Sequence, residues 1–265
     1  MRILVFGDIH GRTFWKEPTN RYLKRVDKII FLGDYFDPYK DEGEFLSYDE
    51  IMGNFNEILE LKIINPDKIV LLLGNHDFHY CNEQFCNLTK STRYDDTHCH
   101  DFERLFNENK DLFKLCHTEK LGDNLVIFTH AGITKYWSEK YNIKVDENIE
   151  QTINGLAESN DGVAKLAAIG VERSWWFGEK TGSPLWCDIR EFVKDGGLGE
   201  GYYQIFGHTR LKKGAQVTMK GFSCIDSQEG FLIDDNCKIK KVRKYEKKQA
   251  NDKHGTVQDT ENDKP

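Results

Sequence analysis

The chain has 265 residues, enough for one large domain or two small ones around a substantial core. Charged residues make up 31% of it and the formal net charge is −7, which argues against a nucleic-acid backbone or an anionic membrane as its main partner. Seven cysteines without a Cys-x-x-Cys pair suit reduced thiols packed as small apolar groups, not a disulfide framework.

The first element is the strand-like run "RILVFG" (2–7), whose apolar stretch is too short for a signal sequence or a membrane span, so a cytoplasmic protein is expected. "DKIIFLG" (27–33) and "KIVLLLG" (68–74) are further β-rich runs that stop at glycine. Between them Phe45, Ile51, Phe55, Ile58, Leu59 and Lys62 follow an approximate helical spacing, with Ser47 as N-cap, which makes a strand, crossover helix, strand unit. "THCHD" offers too few donors for a zinc site and reads as a polar helix start. "NLVIFTHAG" (124–132) and "GYYQIFGHT" (201–209) repeat the pattern of an apolar strand ending in small and polar residues. The pieces from Ala215 to Asp235 suggest hairpins around Gly221 and Gln228 to Gly230. With no repeat and no dividing linker, one domain is expected over 1–246, followed by a solvated charged tail over 247–265.

Five strands thus end alike, and in an open α/β sheet ligands bind outside the carboxyl ends of the strands. The polar residues there are Asp8 and His10 in "GDIHG", Asp34 and Asp37 in "GDYFD", Asn75, His76 and Asp77 in "GNHD", His130 in "THAG" and His208 in "GHT". Burying so many polar groups unpaired would cost several kcal/mol each, a penalty that divalent cations remove. If strand geometry continues past Phe6, Asp8 and His10 point to one side and bind one ion together. Asp34 can bridge that ion to a second, completed by Asn75, His130 and His208. A shell of oxygen and nitrogen without thiolate suits Mn first, with Fe, Zn or Ni as alternatives, better than Ca.

These five motifs, in this order, resemble the calcineurin-like metallophosphoesterase superfamily, and within it the phosphoprotein phosphatase branch and its bacterial and phage relatives. The resemblance implies an α/β fold, a four-layer αββα sandwich with a dinuclear metal site at the carboxyl ends of its strands. It implies hydrolysis of a phosphate ester by water activated between two metals. His76 matches the general acid, and Asp37 the carboxylate that orients it and keeps it protonated. A phosphoserine or phosphothreonine protein is the first expectation for substrate, and a nucleotide such as a dinucleoside polyphosphate or a cyclic nucleotide the second. A nuclease would carry Gly-His-x-His where Thr209 and Arg210 follow His208, and a metal-free scaffold would lack ligands that are all here.

The family's Arg-Gly after the orienting aspartate is replaced by Pro38 and Tyr39, so a phosphate-gripping arginine is missing. Arg190 is the expected replacement, ahead of Arg12, Arg173 and Arg210. Asp77 stands for a commoner glutamate and should still support its turn. The aromatics of "SWWFG" (174–178) read as packed under a loop, residues 39–45 as a solvated connection more than a lid, and His79 and His117 as ordinary.

Overall fold

All five apolar runs that end in small or polar residues are strands in the computed structural model, which describes residues 1–39, 45–174 and 176–242. The segment expected as a solvated connection falls mostly on 40–44 and the expected tail on 247–265, both outside the described residues.

β1 (Ile3–Phe6), β2 (Lys28–Phe31), β3 (Ile69–Leu72) and β4 (Phe113–Lys114) run parallel and side by side. β5 (Cys116–Leu121) pairs antiparallel with β6 (Asn124–Thr129), and β7 (Tyr202–Phe206) lies parallel to β6 in a second sheet. β8 (Val217–Met219) and β9 (Phe222–Cys224) form a hairpin there, turning at Gly221, whose φ is +87°. β10 (Gly230–Ile233) and β11 (Ile239–Lys241) form another, but this one belongs to the first sheet, antiparallel to β1. Of the two expected turns, Gly221 closes a hairpin, but Gln228 to Gly230 carries the chain from the second sheet to the first, and the other hairpin turns between Ile233 and Ile239. Beyond that expectation, β9 runs parallel to β7, so its end reaches the same edge as the five expected strands.

Alternation of side chains explains the layers. Ile3, Val5, Ile30, Leu32, Val70 and Leu72 face Val126, Phe128, Tyr203 and Ile205 of the second sheet in one dry core. From the opposite face of the first sheet, Leu4, Phe6, Ile29, Phe31, Ile69 and Leu71 meet the helix Tyr48–Ile64 through Ile51, Phe55, Ile58 and Leu59. Phe192 of the helix Ile189–Asp195 packs on Phe206 and Phe222 of the second sheet, with ring centroids 4.8 and 4.7 Å apart. Helix, sheet, sheet, helix is the four-layer order expected.

Helix starts follow local chemistry. Ser47 caps Tyr48–Ile64 in a reciprocal box with Glu50, although Phe45 precedes the helix and is 86% exposed. His98 precedes the helix Cys99–Glu108, as a polar start requires. Among the described residues no helix is long and apolar enough to cross a membrane.

Glu150, at the start of the helix Ile149–Gly155, ties that helix to the second sheet. It accepts from Thr118 N at 2.8 Å, Thr118 Oγ1 at 3.0 Å and Lys114 Nζ at 2.7 Å, with His117 Nδ1 at 3.4 Å. Burial alone would raise its pKa, but hydrogen bonds from His117 and Lys114 bring it down to about 2. Glu150→Ala strands these donors and is expected to cost about 1–3 kcal/mol in urea unfolding at neutral pH. Because the folded-state pKa is depressed, the difference between the proteins is full above the ordinary value of 4.5 and shrinks as pH falls toward about 2. An unchanged urea midpoint would refute this role.

Candidate metal centre

Three loops meet at one end of the sheets because their backbones bond to one another. His10 N and Ile9 N donate to the Asp34 carbonyl, and Gly11 N to that of Tyr35. Asp77 takes Asp34 N at 2.6 Å, Tyr35 N at 2.8 Å and Gly74 N at 2.8 Å, so the shorter carboxylate does support the turn. From the second sheet, Gly207 N donates to the His130 carbonyl at 2.7 Å and His208 N to Asp8 Oδ1 at 2.9 Å. Gly74 is obligatory, since a Cβ there would lie 2.0 Å from Asp34 Oδ1.

The backbone is strained at several of these donor and neighbouring positions. His10, Asp34, Asp37 and His208 all adopt positive φ, between 46° and 63°, a region costly for residues other than glycine and frequent at functional sites. Strand geometry therefore does not carry Asp8 and His10 to one side, as expected from their spacing; β1 ends at Phe6 and a left-handed turn at His10 brings the two together instead.

Two groups of donors result, Asp8, His10 and Asp34 in one, Asp34, His130 and His208 in the other, each with one ligand atom per residue within 4.8 Å of the others. Asp34 is common to both. His10 donates Nδ1–H to the Phe36 carbonyl at 2.6 Å and His130 donates its own to Leu32 at 2.9 Å, which leaves both Nε2 lone pairs turned inward. His130 Nε2 stands 3.0 Å from Asn75 Oδ1, 3.0 Å from His208 Nδ1 and 3.5 Å from Asp34 Oδ2. His10 Nε2 lies 3.8 Å from Asp8 Oδ2 and 3.6 Å from Asp34 Oδ2.

The site suits cations. Asp8 Oδ2 and His10 Nε2 are buried without a hydrogen-bond partner, the orphaned pattern that ligation repairs. Burial and the Asp8 charge push Asp34 up to about 6, while burial drives His10 and His208 well below the usual imidazole value. Asp226, at the end of β9, is also buried and pushed well above the carboxylate range, by burial and then by Asp8 and Asp34. Carboxylates that resist charging while imidazoles resist protonation make a region that cations would compensate.

His76 and Asp37 adjoin this cluster. His76 Nδ1 bonds Asp37 Oδ2 at 2.7 Å, Tyr80 OH donates to Asp37 Oδ1 at 2.6 Å, and His76 N donates to Asp34 Oδ1 at 3.0 Å. The bond to Asp37 fixes the plane of the imidazole, and burial disfavours charge on both partners. Burial raises Asp37 to about 8 and lowers His76 well below its usual value. The Arg93 guanidinium donates to His76 Nε2 at 2.8 Å and to the Asp37 carbonyl, so Nε2 is an acceptor.

Arg190 stands elsewhere. Its guanidinium closes on Asp188 at 2.9 Å and Glu172 at 3.0 Å, and its side chain is 59% exposed. At the second residue of its helix, it pairs with the Asp188 cap instead of reaching the donor groups. The cluster is flanked by Arg93, which no motif signalled, and by Arg173, which donates to the His208 carbonyl at 3.0 Å. Sequence reasoning also missed Asp226, though "FSCID" ends an apolar strand in an acid like the other motifs. Trp176 and Phe177 are 86% and 92% exposed, not packed under a loop; Trp175 lies outside the described residues. His79 bonds Thr89 and His117 bonds Glu119, ordinary structural contacts.

A family model described as Calcineurin-like phosphoesterase matches residues 1–209. A probable serine/threonine-protein phosphatase of Encephalitozoon cuniculi is 24% identical over 164 residues, 60% of this chain and 33% of that protein, so the match spans about a third of the length of the curated relative. A serine/threonine phosphatase structure from Saccharomyces cerevisiae aligns with TM-score 0.49 and 15% identity over 94% of this chain and 82% of that one. A metallophosphoesterase from Sphaerobacter thermophilus aligns with TM-score 0.43 and 12% identity over 92% and 89%.

Proposed function

The chain belongs to the calcineurin-like phosphoesterase family, and from that premise we propose that it is a dinuclear-metal phosphomonoesterase acting on phosphoserine or phosphothreonine in proteins. The observation that carries this reading is the sharing of Asp34 between two donor groups with His76 one residue from ligand Asn75. Asp8, His10 and Asp34 would hold the first cation, and Asp34, Asn75, His130 and His208 the second. When bound, such a pair supplies Lewis acidity and a water that is nucleophilic near neutral pH. Manganese is the first choice for this donor set, and the cytoplasm the proposed compartment.

The chain's own residues do the rest. Asp37 sets the imidazole plane of His76 through Nδ1–H, and Nε2, bonded to Arg93, is the nitrogen that would give a proton to the leaving oxygen. Arg93 takes the place left by Pro38 and Tyr39 as the guanidinium that grips the phosphate, since it already sits between His76 and the Asp37 carbonyl. A phosphate bound there draws Arg93 off Nε2 and leaves that nitrogen free to carry a proton.

The test is an assay of metal-reconstituted protein against phosphopeptides, nucleotides and a generic aryl phosphate. Phosphopeptides are expected to give the highest kcat/KM. Arg93→Ala should lower kcat/KM by roughly ten- to hundredfold with metal content intact, the worth of a charged hydrogen bond, and Arg93→Lys should recover part of it. Exclusive turnover of nucleotides would overturn the substrate assignment, and full activity of Arg93→Ala the assignment of the grip.

A further inference from the structure

A cleft of about 580 Å³ begins at Asp8 and His10, which line one end of it, and four cationic side chains, Arg12, Arg210, Lys212 and Lys213, also line it. In a chain of net charge −7 this is a local reversal of sign. Two carboxylates form part of the lining: Asp8, a member of the first donor group, and Asp226, which belongs to neither group. Four cationic side chains against two carboxylates leave the lining with an excess of positive charge by count, and a concave, low-dielectric wall focuses the field of such an excess.

The cleft is built, not accidental. Leu211 N donates to the Asp226 carbonyl at 2.8 Å and Gly214 N to that of Ser227 at 2.9 Å, so its two walls are one hydrogen-bonded unit. Ser227 is 2% exposed and its Oγ has no hydrogen-bond partner, a polar group lining the cleft without a protein mate. Tyr39 lines the cleft together with His10, their ring centroids 4.9 Å apart. The Tyr39 ring carries Arg93 at 3.9 Å, Arg210 at 4.5 Å and Arg12 at 5.8 Å, an arrangement that holds guanidiniums in place by cation–π attraction. Arg93 bonds His76 Nε2, whereas Arg12 and Arg210 line the cleft.

We propose that this cleft is a subsite for a second phosphate group of the substrate, so that the enzyme prefers esters carrying two phosphoryl groups. This rests on the phosphoesterase reading above and deepens it. The second phosphate could come from a neighbouring phosphorylated residue of a peptide or from the chain of a nucleoside polyphosphate, and the chemistry of recognition is the same for both.

The experiment compares kcat/KM of the metal-loaded protein for a singly and a doubly phosphorylated peptide of one sequence, and separately for a nucleoside monophosphate and diphosphate. Charge-assisted contacts to one more phosphate predict about a ten- to hundredfold preference for the doubly phosphorylated member of at least one pair, and the pair that shows it identifies the source. The double variant Lys212→Glu, Lys213→Glu, on exposed positions, should abolish that preference, and Ser227→Ala should reduce it. Equal kcat/KM within both pairs, or a preference that survives the double variant, would overturn the subsite. Absence of turnover on every phosphate ester would instead overturn the phosphoesterase reading itself.

Discussion

Asp34→Asn is expected to remove metal binding and turnover together. Asp34 is the residue common to both donor groups, and a neutral amide cannot offer two anionic oxygens to two cations. The amide oxygen still accepts from His76 N, which bonds Asp34 Oδ1 in the wild type, so the loop is expected to keep its shape. The expected loss in kcat/KM is at least about 10³-fold, since Lewis-acid stabilisation supplies several kcal/mol of the barrier reduction. Elemental analysis should show fewer than two ions per chain, and an unchanged far-UV dichroism spectrum would separate ligand loss from unfolding. A variant that holds both ions and turns over normally contradicts the bridging role.

His76→Asn should behave differently. His76 supplies no ligand atom in either donor group, so the metals stay. Loss of a general acid slows proton transfer by about 10²–10⁴-fold, and the deficit depends on how badly the leaving oxygen needs the proton. Alkyl phosphates and phosphoserine peptides should therefore suffer most, and aryl phosphates with acidic phenols least. Equal losses across leaving groups would point to a role in binding, and loss of metal content to a role in ligation.

How far these residues were legible in the sequence depended on how local their signals are. Asp8, Asp34, Asn75, His130 and His208 each close an apolar strand, and a strand's end is written in the same few letters as the residue it positions. Parallel pairing of β1, β2 and β3 then puts three of those ends at one edge of the sheet without further information. Arg93 follows no strand and reaches His76 only through tertiary packing, so nothing in "STRYDD" marks it. Arg190 failed for the converse reason: the nearby Asp188 and Glu172 hold its guanidinium more closely than a distant phosphate site could. Asp226 sits at the end of a strand, but that strand lies in a hairpin, and pairing of β9 with β7 is a choice among sheets that short β-runs do not specify. The left-handed turns at His10 and Asp34 break the alternation that side-chain spacing assumes.

A bridging role of Asp34 between two cations is tested by titrating metal-stripped protein with Mn²⁺ and following it by electron paramagnetic resonance. Two equivalents should bind, and the spectrum should be that of an exchange-coupled pair about 3.5–4 Å apart. Binding of one equivalent or none, or two equivalents with the spectrum of isolated ions, would contradict it.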